Sequence, residues 1–190
     1  MERVFLACGA NIAGPWGRPA QTLGRIPAEL AANGVTVVSG SPSYSTAPVG
    51  HQRQPRYLNF VLEIRTGLPA GSLLRVLKRL ERRAGRRPAR HAGPRPLDID
   101  IIDYPQVRTR WPGPRRRRAG QLILPHPECH RRAFVLVPLL DIAPYWRHPQ
   151  LQATGRLLLA RLGPGWQRHI ARCRPPAHAA RARDLNSMQD

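Results

Sequence analysis

The chain has 190 residues, enough for one domain with a real core, or one domain plus tails. No run of about 18 apolar residues occurs, which excludes a membrane-spanning helix. The opening segment from Met1 to Gly9 is too short for a signal peptide's apolar region, so the expected compartment is the cytoplasm. The net charge of +20 invites a nucleic-acid reading, but all of the 31 basic residues except Lys78 are arginine. With so many Ala, Pro and Gly, that bias looks like GC-rich codon usage. The charge will attract anions and hold RNA nonspecifically at low salt, without defining a function.

Val4 to Gly9 predicts a buried strand followed by a Gly- and Pro-rich loop. Ala20 to Ala32 predicts a helix with Leu23, Ile26, Leu30 and Ala31 on one side, stopped by Asn33-Gly34. Val35 to Tyr44 reads as one strand, and Ser45 to Pro55 as a loop. In the strand from Tyr57 to Thr66, Leu58, Phe60, Leu62 and Ile64 face one way, and Tyr57, Asn59, Val61 and Glu63 the other. Pro69 to Ala84 predicts a helix with a stripe of Leu73, Leu74, Leu77, Leu80 and Ala84, and Leu97 to Asp103 a further strand. The order β-α-β-β-α-β is ferredoxin-like: an α+β sandwich whose antiparallel sheet carries both helices on one face. Beyond it lie a loop insert at 104–120 with Arg115 to Arg118 at its centre and a short strand at Leu122 to Leu124. Helices follow at Phe134 to Ile142, despite Pro138, and at Leu151 to Leu162. The tail, 174–190, has the composition of a disordered segment. Cys8, Cys129 and Cys173 are scattered, form no Cys-x-x-Cys motif and read as reduced thiols.

The most informative motif is Pro96-Leu97-Asp98-Ile99-Asp100-Ile101-Ile102. On a strand, Asp98 and Asp100 project together while Leu97, Ile99 and Ile101 turn into a core. Two adjacent carboxylates repel each other, and a divalent cation between them relieves this. Hard oxygen ligands suit Mg²⁺, which usually arrives with phosphates. Arg86, Arg87, Arg90 and Arg95 stand just upstream to bind them. A bare Asp-x-Asp is more often a solvated strand edge, so the surroundings must decide. No P-loop, Gly-x-Gly-x-x-Gly, His-Glu-x-x-His or Gly-x-Ser-x-Gly motif occurs. Four further clusters stand out: Gly9-Ala10-Asn11; Thr46 to Gly50 with Tyr57-Leu58-Asn59; Glu81 at the edge of its helix's apolar stripe; and Leu124-Pro125-His126-Pro127 with Arg131-Arg132-Ala133-Phe134. An aromatic face beside an Asn amide suits a flat heterocycle, since the amide both donates and accepts.

In order and spacing these clusters resemble the family of 6-hydroxymethyl-7,8-dihydropterin pyrophosphokinase, over about Val4 to Pro144. Gly93-Pro-Arg95-Pro-Leu-Asp98-Ile-Asp100 is similar to the family signature Gly-Pro-Arg-x-x-Asp-x-Asp. The resemblance implies pyrophosphate transfer from ATP to the pterin hydroxymethyl group, with release of AMP, in tetrahydrofolate biosynthesis. It implies two Mg²⁺ ions on Asp98 and Asp100, and catalytic roles for these aspartates with Arg86 and Arg95. It implies a pterin pocket of Thr46, Pro48, Val49, Tyr57, Asn59 and Phe134, and ATP contacts from Glu81, Arg95, Ile101, His126 and Arg132. The domain would span 1–165. The partners would be small molecules, with no specific nucleic acid and no membrane, and the enzyme a monomer with a weak dimer as the alternative. His91-Ala92 replace the Arg-Trp pair the family often carries before Gly-Pro-Arg. Pro88 and Gln121 stand where arginines are often found. The rival readings are an RNA-binding ferredoxin-like module, disfavoured by carboxylates on a sheet face, and another Mg-nucleotide transferase.

Overall fold

The computed structural model describes residues 2–48, 54–87, 93–109 and 122–173. Val49, Pro88, Arg90, His91-Ala92, Arg115 to Arg118, Gln121 and the tail at 174–190 lie outside the described residues.

Strand β1 (Glu2–Ala10) pairs antiparallel with β4 (Tyr57–Thr66) on one side and with β5 (Asp98–Asp103) on the other. On the far side of β4 lie two short strands, β2 (Thr36–Gly40) and β3 (Tyr44–Thr46), and β6 (Ile170–Arg172) closes that side by pairing with β3. The predicted strand from Val35 to Tyr44 is therefore two strands. The cause is Pro42, which has no N–H for a ladder. At the break the Ser41 hydroxyl accepts the Val61 N–H at 2.9 Å, in place of a backbone carbonyl. The predicted loop from Ser45 correspondingly begins as strand.

Helix α1 (Pro19–Ala31) and helix α2 (Ala70–Arg83) cover one face of the sheet. Leu23, Ile26 and Leu30 of α1 and Leu73, Leu77 and Leu80 of α2 pack with Leu6, Cys8, Phe60, Leu62, Ile64, Ile99 and Ile101. Each such leucine contributes about 1.5–3 kcal/mol by leaving water. The opposite face is also covered. Helix α3 (Ala133–Ile142) and helix α4 (Gly155–Ala160) lie over Phe5, Val61 and Ile102, with Val135, Leu136, Leu139 and Leu158 as the filling. β4 is thus buried on both faces, with Phe60 at 1% and Val61 at 0% exposure.

Two predicted elements change. Helix α4 is shorter than Leu151 to Leu162, because Thr154 caps it by accepting the Leu157 N–H at 3.2 Å. Leu122 to Leu124 forms no strand. Thr109 instead holds Leu124, its N–H bonding the Leu124 carbonyl and its hydroxyl accepting the Leu124 N–H, each at 2.9 Å. Among the described residues no helix is long and apolar enough to cross a membrane. Cys8 and Cys129 are buried free thiols, and Cys173 is half-buried and free.

Candidate active site

The ends of β1, β4 and β5 meet on the face carrying α3. Register places Gly9 opposite Asn59 on one side and opposite Asp98 on the other. Asn59, Gly9 and Asp98 form a row across three strands, with neighbouring strands about 4.8 Å apart. The middle position has room for no side chain: a Cβ on Gly9 would stand 2.5 Å from the Asn59 Oδ1. The floor between an amide and a carboxylate is therefore bare backbone.

Asp98 and Asp100 project together as predicted, with side chains 24% and 30% exposed, while Ile99 and Ile101 are buried on the α2 side. Both oxygens of Asp98 are engaged. Oδ1 accepts a short hydrogen bond from Arg86 Nη1, and Oδ2 accepts one from Arg95 Nη1 at 2.7 Å. Burial pulls the Asp98 pKa upward, but the charges of Arg95, Arg86 and Lys78 together outweigh it and hold the carboxyl below its ordinary range. Arg95 is held in turn: Asn11 Oδ1 accepts its backbone N–H at 2.7 Å, and its carbonyl accepts the Asn11 N–H at 3.0 Å. This explains the Gly9-Ala10-Asn11 cluster. Glycine leaves the floor open and asparagine fixes the arginine.

Asp100 faces His126 Nε2 at 3.7 Å and Arg132 Nη1 at 3.8 Å. His126 Nδ1 accepts the Glu128 N–H at 3.1 Å, so in the neutral ring the proton sits on Nε2, toward Asp100. Burial lowers the His126 pKa, against the pull of Asp100. The Arg132 guanidinium lies 5.7 Å over the Phe134 ring.

At the other end of the row, the Asn59 Nδ2 donates to Thr46 Oγ1 at 2.7 Å in a buried pair. The Tyr57 hydroxyl donates to the Gly93 carbonyl at 3.1 Å, linking the β4 face to the start of the signature segment. Pro48 is half-buried beside them.

Glu81 is deeper than its predicted role as an ATP contact implies, at 1% exposure. Its Oε1 accepts from Lys78 Nζ at 2.7 Å and from the Ile99 N–H at 2.8 Å, and its Oε2 pairs with Arg86 Nη1 at 2.6 Å. Burial raises the Glu81 pKa, against the opposing pull of Lys78, Ile99 and Arg86. The Ile101 side chain is 4% exposed, so only its main chain can face a ligand. Ile99 turns its N–H to Glu81 and its carbonyl to Lys78, away from β1, and strand alternation turns Ile101's groups outward too.

The structure thus gathers Asp98, Asp100, Arg86, Arg95, Glu81, His126 and Arg132 at one end of the sheet, beside Thr46, Tyr57, Asn59 and Phe134. Sequence reasoning missed Lys78 as part of this group; its position three residues before Glu81 on one helix was the available signal. It also missed the role of Asp103, at the far end of β5. Among the described residues no cluster of three or more His, Cys, Asp or Glu could hold a metal. Two carboxylates suit Mg²⁺ all the same, because it keeps waters and phosphate oxygens for most of its shell. The two guanidinium groups already drawn to Asp98 show the demand for positive charge there.

An α+β sandwich that sets a carboxylate pair and three arginines beside a bare glycine floor and a buried amide has the equipment of a phosphate-transferring enzyme with a small heterocyclic substrate. The family model of 7,8-dihydro-6-hydroxymethylpterin-pyrophosphokinase matches residues 5–144, and the chain belongs to that family. A 2-amino-4-hydroxy-6-hydroxymethyldihydropteridine pyrophosphokinase of Methylorubrum extorquens is 36% identical over 144 residues, covering 76% of this chain and 84% of that protein. One from Pseudomonas aeruginosa is 34% identical over 163 residues, covering 84% and 92%. A mitochondrial folate synthesis bifunctional protein of Arabidopsis thaliana is 38% identical over 141 residues, and there the match spans 74% of this chain but only 23% of the relative. A Plasmodium falciparum HPPK-DHPS crystal structure superposes with a TM-score of 0.65 at 14% identity, over 90% of this chain and 46% of that one, which speaks to the fold.

Proposed function

We propose that the protein transfers the terminal pyrophosphate of ATP to the hydroxymethyl group of 6-hydroxymethyl-7,8-dihydropterin, giving AMP and the pterin diphosphate, in folate synthesis. The observation that carries this reading is the row Asn59–Gly9–Asp98. A flat pterin lying over Gly9 would meet the Asn59 amide at its edge and direct its hydroxymethyl group toward the carboxylates. Tyr57 and Phe134 would cover its faces, with Thr46 fixing the amide and Pro48 completing the wall.

ATP would place its phosphates among Arg86, Arg95, Arg132 and His126, and the outward main chain of Ile101 would meet its base. The hydroxymethyl oxygen attacks the β-phosphorus, the bond from that phosphorus to the oxygen bridging to the α-phosphate breaks, and AMP leaves. The hydroxyl proton passes toward Asp100, whose ion contacts at 3.7 and 3.8 Å are the looser ones. Asp98 and Asp100 would hold two Mg²⁺ ions, which supply charge neutralisation to the phosphates and acidity to the hydroxyl. What the chain contributes is alignment and fixed positive charge, which is most of what this class of transfer needs. Residues 1–165 would form the catalytic unit, a cytoplasmic monomer acting on small molecules.

The test is AMP production from ATP and Mg²⁺ with and without the hydroxymethyl pterin. Pterin-dependent AMP is the expected result; pterin-independent hydrolysis, or none, would overturn the reading.

A further inference from the structure

Arg86 occupies two partners at once. The same Nη1 meets Glu81 Oε2 at 2.6 Å and Asp98 Oδ1. Arg95 holds the other oxygen of Asp98, so both oxygens of that carboxylate are engaged while Arg86 stays. A phosphate-bound cation arriving at Asp98 competes with Arg86 for that carboxylate, and a guanidinium displaced there has the phosphates to pair with.

Withdrawal has a cost at Glu81. Its carboxylate is 2% exposed, and a buried charge deprived of its counter-ion is strongly disfavoured. Lys78 removes that cost. Its ammonium lies 2.7 Å from Glu81 Oε1, on the oxygen that Arg86 does not use, and its stem leaves the side chain 40% exposed on α2. It also lies 3.4 Å from the Ile99 carbonyl, between the two aspartates.

We propose that Lys78 is a positioning residue: the standing counter-ion of Glu81, which lets Arg86 leave Glu81 and Asp98 for the nucleotide phosphates. This rests on the pyrophosphokinase reading for its substrate, not for its geometry. Without Lys78, Arg86 becomes the main counter-ion of Glu81 and is held back from the ligand. Glu81 then competes with the phosphates for one arginine.

The experiment pairs Lys78→Met with Glu81→Gln. Binding of a nonhydrolysable ATP analogue with Mg²⁺ is measured by calorimetry, and steady-state kinetics are run alongside. Lys78→Met should weaken nucleotide binding about 5–10-fold and raise KM for ATP in parallel, with kcat within about twofold. Lys78→Arg should restore affinity to within about twofold. In the Glu81→Gln background the Lys78→Met change should shrink below about twofold, because no buried charge remains to hold Arg86. An unchanged affinity in Lys78→Met would overturn the proposal, as would an equal loss in both backgrounds. Hydrogen exchange of the Ile99 amide separates a merely structural role. If Lys78 only braces β5, that amide exchanges faster and kcat falls with affinity, which also counts against the proposal. Failure of the wild-type protein to form AMP would sink the pyrophosphokinase reading instead, while the calorimetry still decides the role of Lys78.

Discussion

Strand β5 carries three aspartates, and its two ends use them in opposite ways. At the start, Asp98 and Asp100 are about a quarter exposed and face guanidinium groups on long stems, with His126 beside Asp100. At the end, Asp103 is 9% exposed and fixed: Trp146 Nε1 donates to it at 3.0 Å, and Arg108 lies 3.4 Å away. An indole N–H in a core can be exchanged for nothing, whereas an arginine can be exchanged for a metal or a phosphate. One residue type is thus a ligand site at one end and a packing bolt at the other. The difference lies in what its partners can do.

The sharpest way to break this comparison is Asp98→Asn, which keeps shape and removes charge. Pterin-dependent AMP formation should fall about 10³-fold with little change in thermal stability. A stable variant that keeps most of its activity would refute the division of roles. Along the same row, Asn59→Ala should weaken pterin binding about 10–100-fold, read by calorimetry, and leave Mg-ATP binding nearly unchanged. Equal losses for both ligands would mean that Asn59 supports the sheet rather than reads the heterocycle. At the other end, Trp146→Phe deletes the donor to Asp103 and should cost about 1–3 kcal/mol in urea unfolding. Its kcat should stay within about twofold, and a large fall in kcat would join the two ends functionally.

The smallest effect is a matter of pH, measured as melting temperature from pH 3 to 7. Asp98 has a pKa lowered by its arginines beneath the ordinary 3.8, against the upward pull of burial. Its stabilisation is present above 3.8 and lost as pH falls through the lowered value. Glu81 has a pKa raised by burial above the ordinary 4.5. Its contribution is fully present below 4.5 and declines as pH rises through the raised value. The gap between wild type and Asp98→Asn should therefore widen with rising pH, and that with Glu81→Gln should narrow. Parallel slopes would show that the two carboxylates do not differ in environment.

The β-α-β-β-α-β order was legible because each element has its own periodicity: Leu73, Leu77 and Leu80 recur at helical spacing, and Leu58, Phe60, Leu62 and Ile64 alternate. The Asp-x-Asp face followed from the same alternation. What local pattern could not show was anything decided by a distant partner. Val61 shares its strand face with the polar Asn59 and Glu63, and α3, some seventy residues on, explains its burial. β6 pairs Ile170–Arg172 with β3, a match with no mark in either segment. Glu81 read as an edge residue of its helix, while its burial depends on the Ile99 N–H of another element. Lys78 passed as composition, because a lone lysine among arginines looks like codon bias until its ammonium is seen beside Glu81.

β5 is also the last strand of its side of the sheet, and such a border normally offers open backbone groups to which another chain can add. Here part of that border is already spent. Glu81 and Lys78 consume the N–H and carbonyl of Ile99, and the His126 N–H takes the carbonyl of Ile102 at 2.8 Å. The groups around the carboxylates therefore also deny a foreign strand part of its template. Preparation for chemistry and protection against aggregation share, along this strand, some of the same bonds.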